Sequence, residues 1–190
     1  DSLLVGRFLG SVALTATGSA GGLSWIPQNL VCCAIYAYGV ALSQRFGARK
    51  FEEFRHFCGN AMLLGLSMGL LLAVLGTTFA KALLNVLNTP PELLDIAARY
   101  IQVLWMGFVI TALLNLFNSS LMAMGDSRTP LLALAVSSVV NIVLDIVFIR
   151  WFHWDVEGAA LATVVSQAAA AIPGYLTLRK TEIGLPKLCH

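Results

Sequence analysis

The sequence predicts an all-α membrane protein, a polytopic bundle of five transmembrane helices, and three observations carry that reading. Apolar residues make up 58% of the 190-residue chain and charged residues only 12%, about half the charged share of an ordinary soluble domain. Mean hydropathy is +0.80, more apolar surface than a soluble domain of this length can hide. The apolar residues also fall into five stretches, about 11–44, 56–87, 91–124, 130–150 and 157–178, each of about the 20 residues that one bilayer crossing needs, or longer. The bundle is expected over 1–180, with 181–190 as a polar tail.

The first stretch, 11–44, exceeds the bilayer. Gly18, Gly21, Gly22 and Pro27 lie inside it and predict a kink whose freed backbone groups are satisfied by neighbours or water. Ser24, Gln28 and Asn29 gather near that kink, either to line a cavity or to repair the broken backbone hydrogen bonding. Trp25, Tyr36 and Tyr38 offer aromatic surface to a cationic or planar ligand. Arg45, Arg49, Lys50 and Arg55, with Glu52 and Glu53, form the densest positive segment of the chain, and Gly47 is the expected helix stop.

In the second stretch Gly65 and Gly69 present a small face for close packing. Thr89 and Glu92 have capping-box spacing before the third. There Asp95 and Arg99 stand four apart, as an ion pair on one helix face would. Thr111, Asn115, Asn118 and Ser119 make a polar face deeper in, which lines a path or bonds to another helix. Gln28, Asn29, Tyr36 and Asn115 are the candidate cavity residues.

Gly125 ends the third helix, Thr129 is placed to cap the fourth, and Pro130 suits its first position. Ser137, Asn141 and Asp145 follow at four-residue spacing, a polar stripe on an apolar rod. A carboxylate at such a position costs about 2.5–3.5 kcal/mol even on the lenient insertion scale, so Asp145 must face protein or water. The fifth stretch opens on small residues, Gly158, Ala159, Ala160 and Ala162, and Ala159, Thr163 and Gln167 share a face. A short connection makes the two helices antiparallel neighbours. Carboxylate, amide, hydroxyl and backbone carbonyl oxygens then suit a hard cation, or the carboxylate carries a proton. Asn and Ser in such stripes also serve as hydrogen-bond glue between helices.

Other chemistries find little support. Cys32, Cys33, Cys58 and Cys189 have no metal-ligand spacing and read as small apolar helix residues. His56, His153 and His190 lie at helix ends or the terminus, in structural or interfacial roles. No second deep acid and no membrane histidine accompanies Asp145, so no catalytic residues are assigned and the chain is not read as an enzyme. A net charge of +2, with the basic residues at helix ends, gives no nucleic-acid surface.

The strings Gly125-Asp126-Ser127-Arg128-Thr129-Pro130, Asn141-Ile142-Val143-Leu144-Asp145 and Gly158-Ala159-Ala160-Leu161-Ala162-Thr163-Val164-Val165-Ser166-Gln167 resemble the multidrug and toxic compound extrusion (MATE) transporters, in the prokaryotic NorM and DinF-like branch, in order and in spacing. The resemblance implies twelve helices in two six-helix lobes. This chain would supply most of the first lobe, without its first helix and the acid that helix carries, and 181–190 would begin the interlobe linker. It implies an antiporter that exports hydrophobic or cationic drug-like compounds by alternating access, coupled to sodium or protons, with no other cofactor. On the matching positions Asp145 is the carboxylate, Asn141 and Thr163 are side-chain ligands and Ala159 is a carbonyl ligand. The partners would be a small-molecule substrate, the lipid bilayer and the rest of the transporter. The alternative in the same superfamily is a flippase for a lipid-linked saccharide or peptidoglycan precursor. The near absence of Lys and Arg at depth argues against its diphosphate.

Arg45, Arg49, Lys50, Arg55, Arg128, Arg179, Lys180 and Lys187 fall on one side of five crossings. Arg7, Lys81, Arg99 and Arg150, offset by Glu92, Asp95, Asp155 and Glu157, fall on the other. The positive-inside rule puts loop 45–55 in the cytoplasm and Asp145 in the outer half of the membrane. The resemblance makes that membrane a bacterial plasma (inner) membrane.

Overall fold

The computed structural model describes residues 5–7, 9–152 and 154–181. His153, Lys187, Cys189, His190 and the tail beyond Thr181 lie outside the described residues. Helices α1 (Gly10–Gly47), α2 (Phe51–Val86), α3 (Pro91–Met106), α4 (Phe108–Ala123) and α5 (Arg128–Ile146) are followed by a π turn (Val147–Trp151) and α6 (Val156–Lys180). By length and composition α1, α2, α6 and α5 with its π turn can each cross a membrane, and α3 with α4 makes a fifth span bent by 42°.

Three local expectations need correction. The third stretch is two helices, broken at Gly107, where a side chain would run into Val164 of α6. The second begins at Phe51, so Glu52, Glu53 and Arg55 belong to its opening turns and not to a loop. Thr89 makes no capping bond; Pro90 is the N-cap of α3 and no side chain caps it.

The helix ends share a physical device. Arg49 (φ 58°), Asn88 (φ 54°) and Gly125 (φ 86°) adopt the left-handed conformation. After each, a backbone N–H returns five residues, Lys50 to Arg45 (2.9 Å), Thr89 to Leu84 (3.2 Å) and Asp126 to Leu121 (2.9 Å). This is the Schellman closure, which satisfies carbonyls otherwise left open at a helix end. Gly47 is the last helical residue of α1, as expected, and the left-handed closure follows at Arg49.

The bent span is the centre of the bundle. α1 and α2 pack on α3 and α4 from one side, α6 from the other, and α5 packs mainly on α6. Gly65, Gly69 and Gly76 of α2 admit that contact. A Cβ on Gly69 would lie 2.9 Å from the Val109 Cα, and one on Gly76 2.6 Å from the Trp105 Cβ. Trp105 is fixed in turn by its indole N–H, which donates to Ser24 of α1 at 2.8 Å. Ser24 therefore ties α1 to α3. Around these contacts lies an apolar core of Ala16, Ala20, Ala80, Leu84, Ala97, Ile101 and Phe108.

Candidate functional site

α5 is a rod with an unusual inside. Of its nineteen residues, only Ala133 and Asp145 are buried, and Leu131, Leu132, Leu134, Val139, Ile142 and Val143 are exposed. Ala133, Ser137, Asn141 and Asp145 recur every fourth residue, so one face turns towards α6. Asp145 is fully buried there. Two residues later the helix passes into its π turn, a rare distortion that concentrates at functional positions.

The structure links three of the four cation-site candidates directly. The Asn141 Nδ2 donates to the Thr163 Oγ1 at 3.5 Å, and the Thr163 hydroxyl donates to the Ala159 carbonyl at 3.0 Å. Asp145 stands one turn beyond Asn141 on the same face. Small side chains permit this approach, since Ala159, Ala160 and Ala162 are fully buried. Carboxylate, amide, hydroxyl and carbonyl oxygens are the donor types that fit a hard cation. Among the described residues no three His, Cys, Asp or Glu side chains gather as a metal site.

Tyr100 was missed from the sequence. It packs against the cluster of Val5, Ala13, Ile149, Val156 and Ala159, beside the turn that follows Asp145. Nothing in its local sequence marks it, because the α3–α6 contact brings it there.

The substrate-cavity candidates separate. Tyr36 and Asn115 line one cavity of about 380 Å³ with Asn118, Ser137 and Gln167. Gln28 and Asn29 lie outside that lining. The Gln28 amide reaches the Cys32 Sγ at 3.9 Å, and the Asn115 amide reaches the same sulfur at 3.4 Å. Gln28 therefore joins the cavity only through Cys32, and Cys32 is a hydrogen-bond acceptor as well as a small apolar residue. Asn29 bonds the Trp25 carbonyl of its own helix at 2.8 Å, a local backbone contact. At the inner wall the Thr111 hydroxyl donates to the Gln167 Oε1, joining α4 to α6. The polar face of the third stretch thus both lines a cavity and bonds to another helix.

The entry to α5 also differs from expectation. Its first helical residue is Arg128, and Thr129 and Pro130 are already inside. Asp126 does the capping: its carboxylate accepts the Arg128 N–H (2.9 Å), the Thr129 N–H (3.1 Å) and the Thr129 hydroxyl (2.6 Å). The hydroxyl first, then the backbone N–H groups, hold the Asp126 carboxyl below the usual carboxylate range. A folded-state value below the unfolded one gives stability above the unfolded pKa of about 3.9 and loses it as pH falls through the folded value. Asp126→Ala is expected to cost about 1 kcal/mol at neutral pH. In thermal melts of purified protein the gap from wild type should close below pH 4.

The charged ends pair differently from the expected Asp95–Arg99 contact. Asp95 meets Lys81 of α2 at 2.7 Å. Arg99 meets Glu157 at 3.2 Å and Asp155 at 3.8 Å. Both thus pair with residues outside their own helix, Asp95 with Lys81 of α2 and Arg99 with the acids at the start of α6.

Against known proteins, the chain matches the MatE family over residues 1–147. It is 30% identical over 185 residues to the "Probable multidrug resistance protein YpnP" of Bacillus subtilis (strain 168), covering 96% of this chain and 41% of that protein. It is 28% identical over 185 residues to the "DNA damage-inducible protein F" of Escherichia coli (strain K12), covering 95% and 39%. Among solved structures it is similar to the inward-facing conformation of a multidrug resistance MATE family transporter of the MOP superfamily, with a TM-score of 0.89 at 26% identity over 95% of this chain and 41% of that one. The chain spans about two fifths of the length of these relatives.

Proposed function

The chain belongs to the MatE family, and from that premise we propose that it forms the coupling lobe of a cation-driven efflux antiporter. The observation that carries the reading is Asp145, fully buried on the protein face of a helix that otherwise exposes apolar side chains. An acid so placed is a functional group by default, and Asn141, one turn before it on the same face, is bonded to Thr163, which bonds the Ala159 carbonyl. Sodium or a proton bound there from outside shifts the balance between inward- and outward-facing states, because its affinity differs between them. A hydrophobic or cationic compound leaves through a path that includes the cavity of Tyr36, Asn115 and Gln167. Relatives named for multidrug resistance support that substrate class. The basic connections at Arg45 to Arg55 and at Arg128 face the cytoplasm, and the membrane is a bacterial plasma membrane.

The test is efflux of a fluorescent cationic dye from cells without their own pumps that express the complete gene, with sodium and pH varied separately. Extrusion that follows one of the two gradients is the expected result. Dye retained under every gradient, with the protein present in the membrane, would contradict the reading.

A further inference from the structure

Arg99, Asp155 and Glu157 form a cluster that the coupling reading does not use. They line, with Val103, Trp154 and Leu161, a cavity of about 350 Å³ at the end of the bundle where α3 meets the start of α6. The guanidinium lies 3.2 Å from Glu157 and 3.8 Å from Asp155, and all three side chains are about half exposed, at 50%, 42% and 46%. Exposed pairs of this kind are weak and open readily.

The cluster adjoins the buried acid along both helices. Tyr100, the residue after Arg99, packs against the cluster of Ile149, four residues on from Asp145. Ala159, two residues after Glu157, packs in one cluster with Tyr100 and Ile149. Two acids near a cation site would attract the ion, yet the Arg99 guanidinium offsets one of their two charges. The nearby Lys81–Asp95 pair holds α2 to α3 at the same end but does not engage α6.

We propose that Arg99 is a resident cation latch: its pairs with Asp155 and Glu157 hold α3 against α6 beside Asp145, and the incoming coupling ion must displace it. The latch sets the cation concentration at which coupling begins. It rests on the coupling role of Asp145.

The experiment titrates sodium, and separately protons, against dye efflux by the full-length transporter in proteoliposomes. Arg99→Gln should lower the half-saturating cation concentration by about two- to fivefold, the range an exposed ion pair commands. Asp155→Asn with Glu157→Gln should lower it in the same direction, and Arg99→Lys should restore the wild-type value. Opposite shifts in the first two variants would mean simple attraction of cations by the acids and would overturn the latch. So would an unchanged half-saturation with only a reduced maximal rate, the mark of a structural role. Asp145→Asn is run in parallel. If it keeps cation dependence, the coupling reading and the latch fall together; if it loses dependence while Arg99→Gln changes nothing, the latch alone falls.

Discussion

Asp145→Asn is expected to leave the bundle folded and to uncouple it. Asparagine has the size of the aspartate and keeps one oxygen, and a neutral amide is cheaper to hold among apolar helices than a carboxylate. What it loses is the charge that attracts sodium and the site that carries a proton. Coupling between two sites is commonly about 1–3 kcal/mol, so the gradient's effect on efflux should fall by about 5–150-fold. Reconstituted full-length protein, driven by an imposed sodium or proton gradient, gives the comparison. Amounts in the membrane and melting temperature should stay near wild type. An equal loss of expression would move the residue from coupling to folding.

The second large effect is on packing. Gly69→Val is expected to disrupt the contact between α2 and the bent span. Its Cβ would lie 2.9 Å from the Val109 Cα, 3.0 Å from the Val109 nitrogen and 3.2 Å from the Phe108 carbonyl carbon. All three are backbone atoms of α4, so no rotamer change relieves the clash and the helices must part. Overpacking alone typically costs about 1–3 kcal/mol, and a backbone clash belongs at or above the upper end. Gly65→Ala should be milder, because its new Cβ would meet side chains at 3.3 Å and 3.5 Å. Gly18→Ala is the control. Nothing lies within 4 Å of it, and alanine in a helix interior gains up to about 1 kcal/mol over glycine. Melting of the three purified variants in detergent should rank them in that order, with Gly18→Ala at or above wild type. A Gly69→Val protein as stable as the control would contradict the packing described.

The spans were legible because lipid length and apolar composition leave few other folds for such a chain. The close face at Gly65 and Gly69 was legible for a similar reason, since small residues four apart on one helix invite a neighbour. Asn141, Thr163 and Ala159 come together as periodicity suggests: a four-residue repeat fixes a face, and a short connection makes the two helices antiparallel. What could not be read is long-range. Tyr100 meets Ile149 and Ala159 only through the packing of α3 on α6, and Arg99 finds Asp155 and Glu157 across the same contact. Helix punctuation misled where several residues competed. Gly47 does end its helix, though the left-handed closure falls two residues later, at Arg49. Thr129 looked like the cap, but Asp126 holds three donors at once and starts the helix earlier. The break at Gly107 was hidden inside an apolar run, where one glycine against Val164 has no composition signal. Gln28 and Asn29 looked alike in sequence, yet only Gln28 is linked, through Cys32, to the cavity.

The most direct test is the number of coupling ions bound by the purified full-length protein at equilibrium. Sodium is counted with a radioisotope at fixed ionic strength, and protons by uptake from weakly buffered solution. The wild type should bind one ion, sodium or proton, that Asp145→Asn does not. Equal counts in the two proteins would contradict the assignment of Asp145 as the coupling carboxylate.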